Sequence, residues 1–274
     1  MYKKIGIVAG SGSLPLEVLE FCDERKIETC CVLLRSFAKK EDFVGRNFEE
    51  FYIGHVGKMV KHFKKNNVER LLFAGGVKKP SLFSLKCDIT GFFLLKRVLT
   101  NKILGDNTIL EIIIEFLEKN GFVVENIHNY INNGKFIHGF NGKVSFENKE
   151  YLNDIELGKN VLNGLSDLDI GQSIIIQQGN VIGIECVEGT QRLIERSKEL
   201  IYKEGRGAFL LKIKKLNQTD KADLPSIGVD TITQLKNSGL VGIVVDYKNC
   251  VVICRDEVVK EADRNGIFIY GIDL

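Results

Sequence analysis

The sequence lacks the residue spacings that mark metal-binding and disulfide-rich proteins. Its seven cysteines are odd in number, and no Cys-x-x-Cys pair occurs. The four histidines, at positions 55, 62, 128 and 138, show no ligand spacing. Because zinc sites and disulfide frameworks need such arrangements, we expect neither. Reduced, mostly buried thiols in a cytoplasmic protein fit this cysteine usage better.

Strong charge and long apolar runs are lacking as well. The formal net charge is +2, so the chain has no basic field of the kind that marks a nucleic-acid-binding protein. Its apolar runs are shorter than the roughly 18 residues that a membrane span takes. The opening KKIGIVAG begins like a signal peptide, but its apolar core is short and Glu17 follows soon after. We therefore interpret it as a first strand.

The pattern that is present predicts an α/β protein with two domains. The chain has 274 residues, of which 44% are hydrophobic and 27% charged, as in ordinary globular proteins. In the first half, apolar strands run into glycine turns and alternate with helices, which indicates a parallel sheet. We expect an N-terminal Rossmann-like domain over residues 1–131 and an Asn- and Gly-rich linker over 132–153. A C-terminal α/β domain with a mixed sheet follows over 154–274.

A glycine turn lies between the first strand and the first helix. Backbone N–H groups of such a turn can approach a phosphate at the positive end of a helix. A dinucleotide site is disfavoured because the third glycine is missing and the second strand ends without an acid. A tight structural turn is the main alternative. The residues concerned are Gly10, Ser11, Gly12, Leu14 and Pro15.

A second glycine turn, AGGVKKP, follows the strand over residues 70–74. It lies where a parallel strand ends, which is the side on which open α/β sheets bind ligands. Gly75 and Gly76 with Lys78 and Lys79 make an anion pocket plausible there. A connecting loop with surface lysines explains the same residues about as well.

The stretch from Gly207 to Gly228 organises the C-terminal half. It begins as a strand, in which alternation predicts apolar side chains on one face and Lys212 and Lys214 on the other. It ends in Asp223-Leu224-Pro225, where proline stiffens the backbone of the turn. A carboxylate beside lysines suits phosphate chemistry, in which it holds a metal or a water. A solvated loop with Asp223 as a turn cap is the alternative.

Two polar segments flank a predicted hairpin, which is formed by the two apolar runs of GQSIIIQQGNVIGIECV on either side of Gln-Gly-Asn. They are Leu168–Gln172 before it and Glu188-Gly189-Thr190 after it. Their polar groups could therefore meet, although Glu188 or Thr190 could equally cap the next helix. A separate apolar helix, GFFLLKRVL, reads as core; exposed along a cleft, it could hold an acyl chain.

The order of these motifs resembles the LpxI-type UDP-2,3-diacylglucosamine pyrophosphatases of lipid A biosynthesis over nearly the full length. The matching blocks are AGSGSLP, GHVGK, AGGVKKP, GDN, LDIGQ, EGT and LLKIKK…DLPSIG…T. The resemblance implies a two-domain α/β protein that binds its lipid-nucleotide between the domains. It also implies hydrolysis, dependent on Mg²⁺ or Mn²⁺, to UMP and 2,3-diacylglucosamine 1-phosphate.

The resemblance also assigns site residues. Asp223 matches the essential carboxylate of the family's Asp-Leu-Pro motif and is the expected metal ligand, and Lys212 is the second expected catalytic residue. We expect substrate contacts from the glycine turns, the hairpin flanks and the Asp-Leu-Pro loop. These are Gly10, Ser11, Gly12, Leu14, Pro15, Gly75, Gly76, Lys78, Lys79, Gln172, Glu188, Gly189, Thr190, Lys214, Leu224, Pro225 and Gly228.

The chain departs from the family pattern at several positions. The loop aspartate is displaced by one place to Asp220, and Gln191 follows the EGT block where an acid is common. His55 stands where glutamine is common, and Lys78 where arginine is. Whether Asp220 replaces the displaced aspartate is left open.

The expected partner is a small lipid-nucleotide, with no nucleic acid. The resemblance leaves open a homodimer and a peripheral association with the cytoplasmic face of the inner membrane. The alternative functions are a nucleotide- or lipid-binding protein and a dinucleotide-dependent oxidoreductase that uses the N-terminal glycine turn.

Overall fold

The computed structural model describes residues 4–77, 85–100, 106–131, 135–216, 221 and 224–274. These residues form two compact units. One contains the residues up to 131 together with Lys221, and the other contains residues 135–216 and 224–274. In the part of the chain so described, no helix is long and apolar enough to cross a membrane.

The N-terminal unit is built on a five-stranded sheet in the order β3-β2-β1-β4-β5, and all of its strand pairs are parallel. This is the order of doubly wound sheets and confirms the predicted parallel sheet. Its central strands are apolar and buried because helices cover them. The elements are β1 (Lys4–Ala9), α1 (Leu14–Glu24), β2 (Glu28–Leu34), β3 (Phe48–Phe51), α2 (Val56–Lys65), β4 (Arg70–Ala74), α3 (Ile89–Leu99), α4 (Asp106–Lys119) and β5 (Val123–Val124).

The C-terminal unit contains a six-stranded sheet in the order β6-β13-β11-β9-β7-β8. Strands β9, β11 and β13 are parallel, whereas β6, β7 and β8 pair antiparallel, so the predicted mixed sheet is confirmed. A small parallel pair, β10 and β12, lies apart from it. The elements are β6 (Gly139–Phe140), α5 (Glu150–Ser166), β7 (Ser173–Gln177), β8 (Asn180–Ile184), α6 (Thr190–Ser197), β9 (Phe209–Lys212), β10 (Ser226–Ile227), α7 (Val229–Asn237), β11 (Gly242–Asp246), β12 (Val251–Val252), α8 (Arg255–Asn265) and β13 (Phe268–Ile272).

Residues 135–153, the described part of the predicted linker, pack within the C-terminal unit. Phe136 lies in one apolar core of this unit, and Phe140 and Phe146 pack against the other. Strand β6 adds to the sheet edge by pairing with Tyr270 and Gly271. The Asn and Gly content of this stretch suggested a connection, but its aromatic side chains supply enough apolar surface to be buried.

Helix α6 ends at Ser197. The side chain of Gln177 explains why the helix does not continue. Its amide nitrogen donates to the carbonyl groups of Tyr202 and Arg206, and its oxygen accepts from the Tyr202 N–H at 2.8 Å. These bonds hold the segment after α6 as a loop against β7, in competition with helical hydrogen bonds.

Candidate functional site

Polar residues from several segments lie at one edge of the C-terminal sheet. Strands β9 and β11 end there with Lys212 and Asp246. Strand β7 begins at the same edge, since Ser173 pairs with Lys212, and β8 ends there just before Glu185. The carboxyl ends of parallel strands are the side on which α/β sheets bind ligands. This edge is therefore the candidate site of the C-terminal unit.

Lys212 is the centre of this site. Its side chain is buried, and its ammonium nitrogen donates to Thr190 Oγ1 at 3.1 Å and to the Ser226 carbonyl oxygen at 3.0 Å. The Thr190 hydroxyl also donates to Glu185 Oε1 at 3.0 Å and lies 3.4 Å from Ser173 Oγ. One lysine thus joins the EGT block to the DLPSIG block. Through Thr190, the EGT block also lies close to Ser173, the first residue of β7.

The burial of Lys212 corrects the predicted polar face of its strand. Alternation placed Lys212 and Lys214 opposite Phe209 and Leu211, but every residue of β9 is buried, including Leu210. The reason is that β9 is an inner strand and one apolar core covers each of its faces. Of these two lysines, Lys212 is buried and Lys214, beyond the strand end, is half-buried.

Three buried oxygen atoms in this region have no hydrogen-bond partner among the described residues. They are Glu185 Oε2, Gln172 Oε1 and Asp169 Oδ2. Their segments are adjacent, because the Glu185 N–H donates to the Ser173 carbonyl and a Cβ on Gly171 would lie 2.1 Å from the Glu185 carbonyl oxygen. A buried acceptor without a donor is unfavourable unless a ligand or water satisfies it. Such oxygen atoms also suit a hard divalent cation such as Mg²⁺.

Glu185 was missed by the sequence reasoning. It follows the apolar strand VIGI directly, and an acid immediately after an apolar strand is the signal that could have revealed it. Asp169 and Lys215 were missed as a pair; their charged atoms lie 2.5 Å apart and both side chains are largely buried. This ion pair fixes the LDIGQ block against the end of β9.

The EGT block divides into structural and site residues. Burial raises the pKa of Glu188, but hydrogen bonds from its own N–H and from Arg196 outweigh this effect and lower it. Arg196 donates to Glu188 at 2.8 Å, so this carboxylate anchors α6. Gly189, with φ of +82°, begins the helix in a backbone conformation that favours glycine. The Thr190 hydroxyl points to Lys212 instead of capping the helix.

Asp223, Asp220, Lys78 and Lys79 lie outside the described residues. The chain after Asp223 is held firmly: the Pro225 carbonyl accepts from Val251 at 2.8 Å, and β10 pairs with β12. Leu224 is half-buried and Pro225 is buried. Gly228 then begins α7, and its N–H donates to Thr231 Oγ1.

The two N-terminal glycine turns bond to each other. The Ser11 N–H donates to the Gly76 carbonyl and the Gly76 N–H to the Ser11 carbonyl, at 2.8 and 2.9 Å, while the Gly10 N–H donates to Ala74. Gly75 has φ of +90°, and a Cβ there would lie 2.5 Å from the Ser11 carbonyl oxygen. These three N–H groups therefore serve the turn pair, as the structural alternative expected. Leu14 and Pro15 are buried, and the exposed part of the loop is Ser11 to Ser13.

Within the described residues, no group of three or more His, Cys, Asp or Glu side chains could hold a metal ion. The predicted metal ligand, Asp223, lies outside them. Among the described residues, the oxygen atoms of Glu185 and Gln172 have a chemistry that fits such an ion.

Comparison with known proteins places the chain. A curated relative from Caulobacter vibrioides (strain ATCC 19089 / CIP 103742 / CB 15), the UDP-2,3-diacylglucosamine pyrophosphatase LpxI, is 32% identical over 278 residues, which cover 99% of this chain and 98% of the relative. A solved structure, the biotin carboxylase domain of a thermophilic 2-oxoglutarate carboxylase bound to bicarbonate, shares 13% identity over 66% of this chain and 48% of that one. Its TM-score of 0.23 is too low to support any argument.

Two family models match along the chain. The LpxI N-terminal domain matches residues 4–133, and the LpxI C-terminal domain matches residues 139–270. The residues that form the turn pair fall in the first match and those around Lys212 in the second. The chain belongs to the LpxI family.

Proposed function

We propose that the protein hydrolyses the pyrophosphate bond of UDP-2,3-diacylglucosamine to UMP and 2,3-diacylglucosamine 1-phosphate. The observation that carries this proposal is the convergence of the EGT and DLPSIG blocks on the buried ammonium group of Lys212. A family relative that matches 99% of this chain is named for that activity. A cation held in a buried polar cluster suits a diphosphate substrate, since its charge is not dispersed by bulk water.

Lys212 supplies positive charge to the diphosphate. Thr190 and the Ser226 carbonyl hold its ammonium group in place, so little reorganisation is needed when negative charge grows on the departing UMP oxygen atoms. Lys78 and Lys79 of the second glycine turn are the further cations that we assign to this role. Asp223 is the essential carboxylate, which orients the attacking water and accepts its proton.

A divalent cation, Mg²⁺ or Mn²⁺, is the proposed cofactor. Asp223 would hold it, and Glu185 and Gln172 offer the described oxygen atoms that fit such an ion. When bound, it supplies Lewis-acid stabilisation of phosphoryl oxygen atoms. The measurement is UMP release from the substrate after chelation and after return of each metal.

The Asp223→Asn variant tests the carboxylate. We expect it to lose nearly all hydrolysis and to melt near the wild-type temperature, because an amide keeps the shape but cannot accept the proton. Asp230→Asn is the matched control, since Asp230 is exposed on α7. Full activity of Asp223→Asn would remove this residue from the mechanism and favour a nucleotide- or lipid-binding protein.

Water attack is assigned to the β-phosphorus, on the sugar side, with UMP as the leaving group. The bond between this phosphorus and the bridging oxygen breaks as the bond to the water oxygen forms. Reaction in water labelled with heavy oxygen, followed by mass spectrometry, should place the label in 2,3-diacylglucosamine 1-phosphate. Label in UMP would contradict the assignment.

We include in this proposal a cytoplasmic location, a peripheral association with the cytoplasmic face of the inner membrane, and a homodimer. The support for a membrane surface is the substrate itself, since two acyl chains partition into a bilayer. Sedimentation of the purified chain over a range of concentrations would test the dimer.

A further inference from the structure

Helix α3 presents an apolar face to solvent. Ile89, Phe92 and Phe93 are 79%, 60% and 66% exposed, while Leu94 and Val98 face the core. The two phenylalanine rings contact each other edge to face, with centroids 6.2 Å apart. A cluster of large exposed apolar side chains on one helix marks an interaction surface.

The charges on this helix are positive. The sequence of α3, ITGFFLLKRVL, contains Lys96 and Arg97 and no acid. Lys96 is exposed, and Lys86 stands three residues before Ile89. Arg97 pairs with Glu115 of α4, so its charge is partly compensated.

Lys86 meets a further cation, Arg35, at Tyr52, just after β3. The Arg35 guanidinium carbon lies 5.1 Å from the centroid of the Tyr52 ring, and the Lys86 ammonium nitrogen lies 4.6 Å from it. The Lys86 nitrogen is also 3.4 Å from the phenol oxygen. The pKa of this phenol is lowered most by a hydrogen bond from Arg35 and next by a hydrogen bond from Lys86. Within the described residues, neither cation forms an ion pair with a carboxylate.

The start of α3 is held beside this cation cluster. The Asp88 carboxylate accepts from the N–H groups of Gly91 and Lys58, each at 2.8 Å, and the Asp88 N–H donates to the Gly54 carbonyl. Gly54 follows Tyr52 by two residues. A helix rises 1.5 Å per residue, so Phe92 lies about 6 Å along the axis from Asp88. Cations and exposed rings therefore share one end of the helix.

We propose that this α3 face, defined as Arg35, Tyr52, Lys86, Ile89, Phe92 and Phe93, docks the protein on an anionic lipid bilayer. The apolar side chains enter the boundary between headgroups and acyl chains, and Arg35 and Lys86 bind lipid phosphates. The proposal rests on the proposed function only in that a diacylated substrate has to be reached in a membrane. It assigns the contact to named residues of the N-terminal unit.

Charge argues against a second copy of the chain as the occupant. A twofold pair through this face would bring each α3 face against its own mate, with like charges near one another. Such pairs of cations are unfavourable in an interface. Anionic lipid phosphates complement the same charges, since each basic residue near such a surface strengthens binding about fivefold.

Flotation of the full chain with vesicles tests the proposal. Phosphatidylcholine vesicles and vesicles that also contain phosphatidylglycerol are the two probes. We expect Phe92→Ser with Phe93→Ser to lower partitioning to both by about tenfold or more. Arg35→Gln with Lys86→Gln should lower partitioning about fivefold per residue, and only to the anionic vesicles. Matched controls are Val187→Ser, at a residue that is 93% exposed, and the exposed Lys236→Gln.

The following results would overturn the proposal. The first is wild-type partitioning by both double variants while thermal melts show that they are folded. The second is a loss of turnover by the variants on a short-chain, monomeric substrate that is as large as their loss of vesicle partitioning, because α3 would then bind the acyl chains of the substrate. The third is a difference in sedimentation between the variants and the wild-type chain, which would identify a second copy as the occupant. Binding of inorganic phosphate that Arg35→Gln removes, without vesicle binding, would indicate a free-anion site instead.

Failure of the proposed function looks different. A wild-type chain that floats with anionic vesicles but releases no UMP would keep the docking face and reject the hydrolase. A wild-type chain that releases UMP from the short-chain substrate but does not float would keep the hydrolase and reject the docking face.

Discussion

Replacement of Lys212 by methionine is the most informative perturbation of the candidate site. Methionine fills a similar volume without charge or hydrogen-bond donors. The change removes two hydrogen bonds, at 3.1 and 3.0 Å, and leaves Thr190 Oγ1 and the Ser226 carbonyl without their donor. Each unsatisfied buried acceptor costs about 1–3 kcal/mol. Release of the ammonium group from burial offsets part of this cost.

The expected free energy of unfolding therefore falls by about 1–3 kcal/mol. A domain of ordinary stability, about 5–15 kcal/mol, stays almost fully folded after such a loss. Loss of one preorganised charge-stabilising group lowers kcat by about 100- to 1,000-fold. Because the folded fraction hardly changes, a loss of that size has to come from the chemistry and not from unfolding.

The assay is UMP release at saturating substrate, with thermal denaturation of the same samples. Lys236→Met is the control, since Lys236 is an exposed lysine on α7. Thr190→Val should reduce kcat less than Lys212→Met, and the double variant should add little, because both changes act on one ammonium group. A kcat for Lys212→Met within about threefold of wild type, well short of the expected loss, with a lowered melting temperature, would reduce Lys212 to a structural residue.

Two further predictions concern the N-terminal unit. Gly75→Ala should lower the free energy of unfolding by more than about 1 kcal/mol, because its Cβ would lie 2.5 Å from the Ser11 carbonyl oxygen at a φ of +90°. Urea denaturation measures this loss. Gly12→Ala is the control for backbone strain alone, since Gly12 has the same φ but no described atom lies near the new Cβ. Asp88→Asn should lower stability by about 1 kcal/mol at neutral pH, because the amide loses the negative charge at the start of α3 and has one acceptor oxygen for the N–H groups of Gly91 and Lys58. Burial raises the Asp88 pKa, but N–H donors led by Gly91 outweigh this and lower it. The contribution of a depressed folded-state pKa is present above the unfolded-state pKa and is lost as pH falls through the folded-state value. Melting curves of wild type and Asp88→Asn should thus converge in acid, and a constant gap at all pH values would contradict the charge argument.

The order and type of the strands could be predicted because they depend on local sequence patterns. Buried strands such as β1 and β4 are short apolar runs that end in glycine, and β7 and β8 are separated by Gln-Gly. These signals lie within a few residues of one another. The parallel N-terminal sheet and the mixed C-terminal sheet followed from them.

The burial of individual polar residues could not be predicted in the same way. Lys212 is buried because of what flanks its strand in the sheet, and alternation within the strand does not contain that information. The bonds between Ser11 and Gly76 join positions 65 residues apart. The local sequence pattern therefore could not distinguish a phosphate-binding turn from a structural turn. The position of Asp223 stays a prediction, since it lies outside the described residues.

The two bonds of Lys212 imply different tolerance to mutation at their far ends. Ser226 contributes its main-chain carbonyl, which any residue at that position would offer equally. Thr190 contributes its side-chain hydroxyl, which among the common residues of similar size only serine would replace. In a saturation library selected for activity, position 226 should accept many residues and position 190 should retain threonine or serine.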